Sequence, residues 1–296
     1  MSKSIRFPLV VALCALILLT ACNKDRDAAP EPKADAEPPA AQQTQIALLE
    51  LKDVIENDAR YIIGISYPPE ASKYPGLAQA LRGYADNARA ELLKAVDAGD
   101  SANQSGPYDL TLNFTLLAET PDVVAVAGDG SSFTGGAHGA PLVARFVWLP
   151  QQNALLSSNS LFGDPRSWRA ISDYTREQLH AALSQRVDAD ELPPGQRADV
   201  MRSVGRMIDA GTEPVVASFA VFEPVLAPDS DKLMGLRFVF PPYQVGPYVE
   251  GVRTVEVPTA VLMPHLAPQY RDMFVSVKPM ALPSPQDTSA VRPSQQ

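Results

Sequence analysis

The chain has 296 residues, a formal charge of -9 and only two cysteines. An acidic balance does not suit nucleic acid, whose phosphates call for lysine and arginine patches. So few thiols exclude a disulfide framework or a cysteine metal cluster, so stability has to come from a buried core, for which the chain is ample.

Residues 1–21 read as an export signal. Lys3 and Arg6 form a short basic start, and an uncharged apolar run from Phe7 to Leu19 follows. That run is shorter than the roughly 20 apolar residues of a comfortable membrane-spanning helix. It ends in Leu19-Thr20-Ala21 before Cys22. Small residues before a cysteine are the pattern of lipoprotein processing: the Cys22 thiol takes a diacylglyceryl group and the freed amine a further chain. Two or more acyl chains give stable anchoring where one is marginal. Bacterial lipoproteins retained at the inner membrane often carry Asp after the cysteine. Asn23 therefore points to the periplasmic face of the outer membrane. Loss of Lys3 and Arg6 takes the formal charge to -11, which favours encounter with a basic partner.

Residues 22–45 hold Pro30, Pro32, Pro38 and Pro39 among Ala, Asp, Glu, Lys and Gln. Such a segment buries too little apolar surface to offset its ordering entropy, so a disordered linker is expected. A Pro-, Ser- and Gln-rich tail at 280–296 is expected to be disordered too.

Between them the patterning predicts two sequential α+β subdomains, 46–140 and 141–279, with a largely antiparallel sheet and helices packed on it. Tyr61 to Tyr67 is strand-like. Leu77, Leu81, Tyr84, Ala88, Leu92 and Val96 recur at helical spacing, and Gly99 supplies a stop. Tyr108 to Leu117 alternates as a strand, Val123 to Ala127 continues the sheet, and Leu142 to Leu149 adds another strand after a glycine-rich corner. Gly128-Asp129-Gly130-Ser131-Ser132 reads as a turn. Helices are predicted from Gly163-Asp164-Pro165 to about Arg186 and from about Gly195 to Ile208. Strands follow at Val215 to Phe222, Leu233 to Phe240 and Val252 to Val257, and a short helix near Thr259 to Leu266 closes the fold. Trp148 and Trp168 lie within apolar patterns and read as core.

Two segments carry functional information. In Thr134-Gly135-Gly136-Ala137-His138-Gly139, three glycines in five residues imply positive φ or close backbone approach. In Pro242-Tyr243-Gln244-Val245-Gly246-Pro247-Tyr248-Val249-Glu250-Gly251 a strand runs into a stiff aromatic loop. Tyrosines on a stiff loop supply contact area at low entropy cost, a recurrent recipe for recognition. The candidate binding residues are Gly135, Gly136, His138, Gly139, Tyr243, Pro247 and Tyr248.

In this order the two segments resemble the RsiV/PdaC-like family of extracytoplasmic domains. That family shows Gly-Gly-Ala-His-Gly, matched by Gly135 to Gly139, and then Leu-Phe, matched by Leu161-Phe162. It continues with Pro-Tyr-x-x-x-Pro-Tyr-x-x-Gly, matched by Pro242 to Gly251, and Val-x-Val-Pro, matched by Val255 to Pro258. The resemblance covers roughly residues 46–268. It implies a receptor-like role, since the family includes a lysozyme receptor alongside many lipoproteins of unknown role.

Catalytic chemistry has little support in the residues. The three histidines are His138, His180 and His265, with no short-range pair, no Gly-x-Ser-x-Gly elbow and no phosphate-binding Gly-rich loop. No cofactor or metal is expected, although Asp129 and His138 could meet across the fold. The expected function is a non-enzymatic, lipid-anchored binding module for an envelope protein or glycan, with lysozyme-like muramidases and peptidoglycan as candidates. The alternative is a hydrolase or deacetylase of cell-wall glycan using His138 as base or metal ligand. His138 is more simply a structural residue bonded to the backbone of its corner.

Overall fold

Strict alternation along Tyr108–Glu119 marks the centre of the first sheet, with Leu110, Leu112 and Phe114 buried on one face. A computed structural model of the protein describes residues 49–99 and 106–276. The expected export signal, Cys22, the expected 22–45 linker and the 280–296 tail lie outside the described residues. The described residues belong to one compact unit.

The unit begins with β1 (Val54–Asn57) and β2 (Tyr61–Ser66), followed by helix α1 (Pro75–Ala98). Strands β3 (Tyr108–Glu119), β4 (Val124–Phe133), β5 (Ala140–Leu149) and the short β6 (Ala154–Leu155) complete a six-stranded sheet in the order β1-β2-β3-β4-β5-β6. Every neighbouring pair is antiparallel except β2 and β3, which run parallel because α1 crosses between them. Pro75 opens α1, where its missing N–H costs nothing, and Leu77, Leu81, Leu92 and Val96 line the buried stripe. That stripe packs on Ile63, Ile65, Leu110, Leu112, Val124, Val126 and Trp148.

The next helices are α2 (Ser158–Phe162), α3 (Ser167–Ala189) and α4 (Pro194–Gly211). Ser157 caps α2 through a reciprocal bond pattern with Ser160, and Gly163 ends it at φ 65°. Strands β7 (Phe222–Leu226), β8 (Leu233–Phe240) and β9 (Arg253–Pro258) form an antiparallel three-stranded sheet, and α5 (Thr259–Leu262) follows directly. Its core is aromatic. Trp168 of α3 stacks on Phe219 at 5.5 Å, and Phe219 meets Phe238 and Phe240 edge-on.

The fold is therefore α+β, as expected: a mixed six-stranded sheet and a three-stranded antiparallel sheet with helices packed on them. Both tryptophans are core residues.

Two local expectations are corrected. Residues 128–132 lie inside β4 rather than in a turn. The glycines serve close approach there: a Cβ on Gly128 would sit 2.9 Å from the Phe114 ring, and one on Gly130 would sit 1.9 Å from the Thr111 carbonyl oxygen. Likewise Val215 to Phe222 is not one strand. A 3-10 turn spans Val216–Phe219 and β7 starts only at Phe222. Phe219 and Phe222 are both buried three residues apart, a spacing that an unbroken strand would send to opposite faces.

A polar seam joins the sheets. Arg145 of β5 reaches the Glu223 carboxylate of β7 at 2.7 Å and Asp129 of β4 at 2.8 Å. Arg237 of β8 holds the other Glu223 oxygen at 2.8 Å and also pairs with Glu256 of β9. Glu223 is 7% exposed. Charges at that depth require such partners.

Candidate functional site

The β4–β5 hairpin loop and the loop between β8 and β9 meet at His138. The hairpin turns through Gly135 at φ 101° and Gly136 at φ 99°, a region that residues with a Cβ rarely adopt. Both glycines are exposed with open space beside them, so conformation rather than close approach explains them. Gly139 follows His138 at ordinary contact distance from Ser131.

The second loop is stiff for reasons written into its sequence. Gln244 N–H donates to the Pro241 carbonyl at 3.1 Å, closing a turn with Pro242 and Tyr243 at its centre. Tyr243 takes φ 74°, the position that a type II turn normally gives to glycine. Its N–H donates to the Gly246 carbonyl at 3.0 Å. The Gln244 side-chain amide donates to the carbonyls of Gly211 and Ser218 at 3.0 and 2.9 Å, pinning the loop to the end of α4. Val245 is buried beneath it. Pro247 to Gly251 forms a second turn, with the Gly251 N–H bonded to the Tyr248 carbonyl.

These loops build an aromatic cluster. The His138 ring stacks on Tyr248 with centroids 4.0 Å apart and planes 15° apart. Tyr243 lies 5.7 Å from Tyr248 and is hydrogen-bonded to His138 Nε2 at 3.0 Å through its hydroxyl. His138 Nδ1 lies 3.3 Å from the Gly139 carbonyl oxygen. A neutral ring protonated at Nδ1 satisfies both bonds, donating to Gly139 and accepting from Tyr243. Thus the sequence-picked His138, Tyr243 and Tyr248 come together from 105 residues apart. Pro247 is half-buried at the start of the second turn.

The cluster faces outward. His138 is exposed, Tyr243 is 53% exposed and the neighbouring Val249 is 89% exposed. None of the contacts described for His138 is a carboxylate. Asp129 bonds Arg145 instead, and among the described residues no group of three or more His, Cys, Asp or Glu gathers as a metal site. Elsewhere His180 pairs with Asp209 at 3.0 Å, tying α3 to α4 beside Arg176.

Sequence reasoning missed Glu250 as the base of the loop. Its carboxylate accepts from Arg253 at 2.8 Å and pairs with Arg186 of α3 at 2.6 Å. Burial pushes its pKa up, but the bonds and charges of Arg186 and Arg253 outweigh that and hold it below the usual 4.5. A carboxyl lowered in the folded state stabilises above its unfolded pKa, and that stability is lost as pH falls through the lowered value. Unfolding free energy is therefore expected to drop on acidification below about pH 4.3. The Glu250→Gln variant is expected to show a shallower drop in urea melts at pH 7 and pH 3.

No family model and no curated protein matches the chain. Among solved structures it is similar to a DUF3298 family protein from Pseudomonas aeruginosa PAO1. The identity is 14% and the TM-score 0.48, over 76% of this chain and 96% of that one. The chain is similar in structure to DUF3298 proteins. A second such structure, a DUF3298 member from Bacteroides fragilis, shares 15% identity at a TM-score of 0.46, over 74% of this chain and 94% of that one. Among the described residues no helix is long and apolar enough to cross a membrane.

The strained Tyr243 backbone gives a test of what its side chain is for. Sparsely populated φ/ψ costs of order 1–3 kcal/mol and gathers at ligand-contacting sites. Tyr243→Gly relieves that strain while removing a mostly exposed ring, so stability is expected to stay within about 1 kcal/mol of the parent. Tyr243→Ala keeps the strain and is expected to be the less stable variant by about 1 kcal/mol in urea denaturation.

Proposed function

We propose that this protein is a lipid-anchored envelope lipoprotein of the RsiV/PdaC-like class that acts as a non-enzymatic binding module. Cys22 carries the lipid, residues 22–45 tether the folded unit, and the location is the periplasmic face of the outer membrane. The contact surface is the His138–Tyr243–Tyr248 cluster. The supporting observation is Tyr243: a tyrosine held at φ 74° by a pinned loop with its ring 53% exposed. Exposed aromatics on rigid backbone are the anchors that interfaces favour, because little entropy is lost on contact.

The partner is an envelope protein or glycan, with lysozyme-like muramidases favoured because the acidic mature chain complements a basic enzyme. Mixing the purified protein with a muramidase and measuring heats by calorimetry tests this reading. Saturable binding at micromolar concentrations is expected, weakening as salt rises, and silence there removes the muramidase. The anchor is tested separately. Cys22→Ser is expected to move the protein from the membrane fraction to the soluble periplasm.

A further inference from the structure

A cavity of about 250 Å³ opens between α3, α4 and β9. Its walls include Leu183, Val204, Ile208 and Val245, all apolar. Arg186, Glu250 and Arg253 line it as well, and this is where the chemistry is uneven. Both guanidiniums converge on one carboxylate oxygen, Glu250 Oε2, at 2.6 and 2.8 Å. Two cations and one anion leave an excess positive charge beside an apolar hole. The approach to Glu250 is through Nη1 of Arg186 and Nη2 of Arg253, and each guanidinium carries five N–H groups. Arg186 and Arg253 remain 30% and 38% exposed, whereas Glu250 is 12% exposed. Asp190 also acts on Arg186, but from an exposed position where solvent and salt screen it.

The geometry points to a binding site for a small aliphatic monocarboxylate, its oxygens on Arg186 and Arg253 and its short apolar chain in the cavity. Charge sets the sign of the ligand. A monoanion neutralises the excess, whereas an ammonium would add a third cation at close range in a medium of low polarity. Size sets the chain length: the cavity falls below the roughly 300–1,000 Å³ of drug-sized sites, so it takes one side chain or a short acyl group. Bidentate recognition of carboxylates is what the arginine fork does best. The same chemistry is presented by a free short-chain acid and by the carboxy terminus of a peptide ending in an aliphatic residue. The site shares the Val245 and Glu250 segment of the tyrosine loop with the His138–Tyr243–Tyr248 surface but uses different side chains.

The test titrates the full chain with hexanoate, with hexylammonium and with acetyl-Ala-Leu bearing a free carboxylate, following the methyl resonances of Val204, Ile208 and Val245. Saturable shifts with hexanoate and none with hexylammonium are expected. Tighter binding of acetyl-Ala-Leu than of hexanoate assigns a chain terminus as the source, and the reverse assigns a free acid. Ala182 is an exposed residue lining the cavity, so Ala182→Phe fills the hole and leaves the arginine–glutamate cluster intact. That variant is expected to lose at least about tenfold in hexanoate affinity at an unchanged melting temperature. Val252→Trp, at another solvent-facing lining position, provides the same block should the first variant fold poorly. Absence of hexanoate binding, equal binding of hexylammonium, or full binding by the folded blocked variants overturns the proposal.

Discussion

Replacing Glu223 with alanine is expected to cost about 3 kcal/mol of unfolding free energy, because it strands one buried cation, Arg145. Glu223 takes Arg145 on one oxygen and Arg237 on the other, and the Arg145 side chain is only 9% exposed. Truncation leaves the Arg145 guanidinium with Asp129, whose side chain is half in solvent. The loss should therefore far exceed that from breaking an exposed pair such as Arg202 with Asp199. Urea denaturation with tryptophan fluorescence reads the difference, since Trp148 and Trp168 report on the two cores. A loss below about 1 kcal/mol would mean that water enters the seam and that the sheets are not joined through it.

Gly211→Ala is the second large effect, and here the sign is informative. Gly211 is the last residue of α4, where alanine would ordinarily help by up to about 1 kcal/mol. A Cβ there, however, would sit 2.1 Å from the Gln244 carbonyl oxygen and 2.8 Å from Val245 Cγ1. The neighbour is backbone and cannot swing aside. Overpacking of this kind costs about 1–3 kcal/mol, and the displaced segment is the one that carries Tyr243. A net loss of about 2 kcal/mol is expected, together with weakened partner binding, measured by urea melts and calorimetry. A stabilised variant would show that α4 does not hold the tyrosine loop.

Much of the fold was legible because single elements carry their own periodicity. The helical spacing from Leu77 to Val96 and the alternation from Leu110 to Leu116 are local signals, and both elements stand as expected. The candidate site was legible for another reason. Glycines, prolines and tyrosines at Gly135 to Gly139 and Pro242 to Gly251 declare backbone geometry, and geometry is what brings His138 to Tyr248.

What escaped was whatever depends on two elements at once. The Glu223–Arg145–Arg237 seam looks like three ordinary surface charges until the sheets face each other. The one hint was that Arg145 and Arg237 each interrupt an otherwise apolar strand. Glycines 128 and 130 were read as a turn because glycine marks turns and close packing alike, and only the Phe114 ring and the Thr111 backbone decide between them. The short strand β1 and helix α2 hold too few residues to show a period. The cavity beside Glu250 has walls from α3, α4, β9 and the tyrosine loop, so no stretch of sequence describes it.

One comparison bears most directly on whether the aromatic corner exists for contact: calorimetric titration of a muramidase into the parent protein and into Tyr243→Gly, with melting temperatures recorded for both. Heats that vanish in the variant while its melting temperature holds are the predicted outcome. Identical heats from the two proteins would contradict it, leaving that tyrosine's exposed ring without a task.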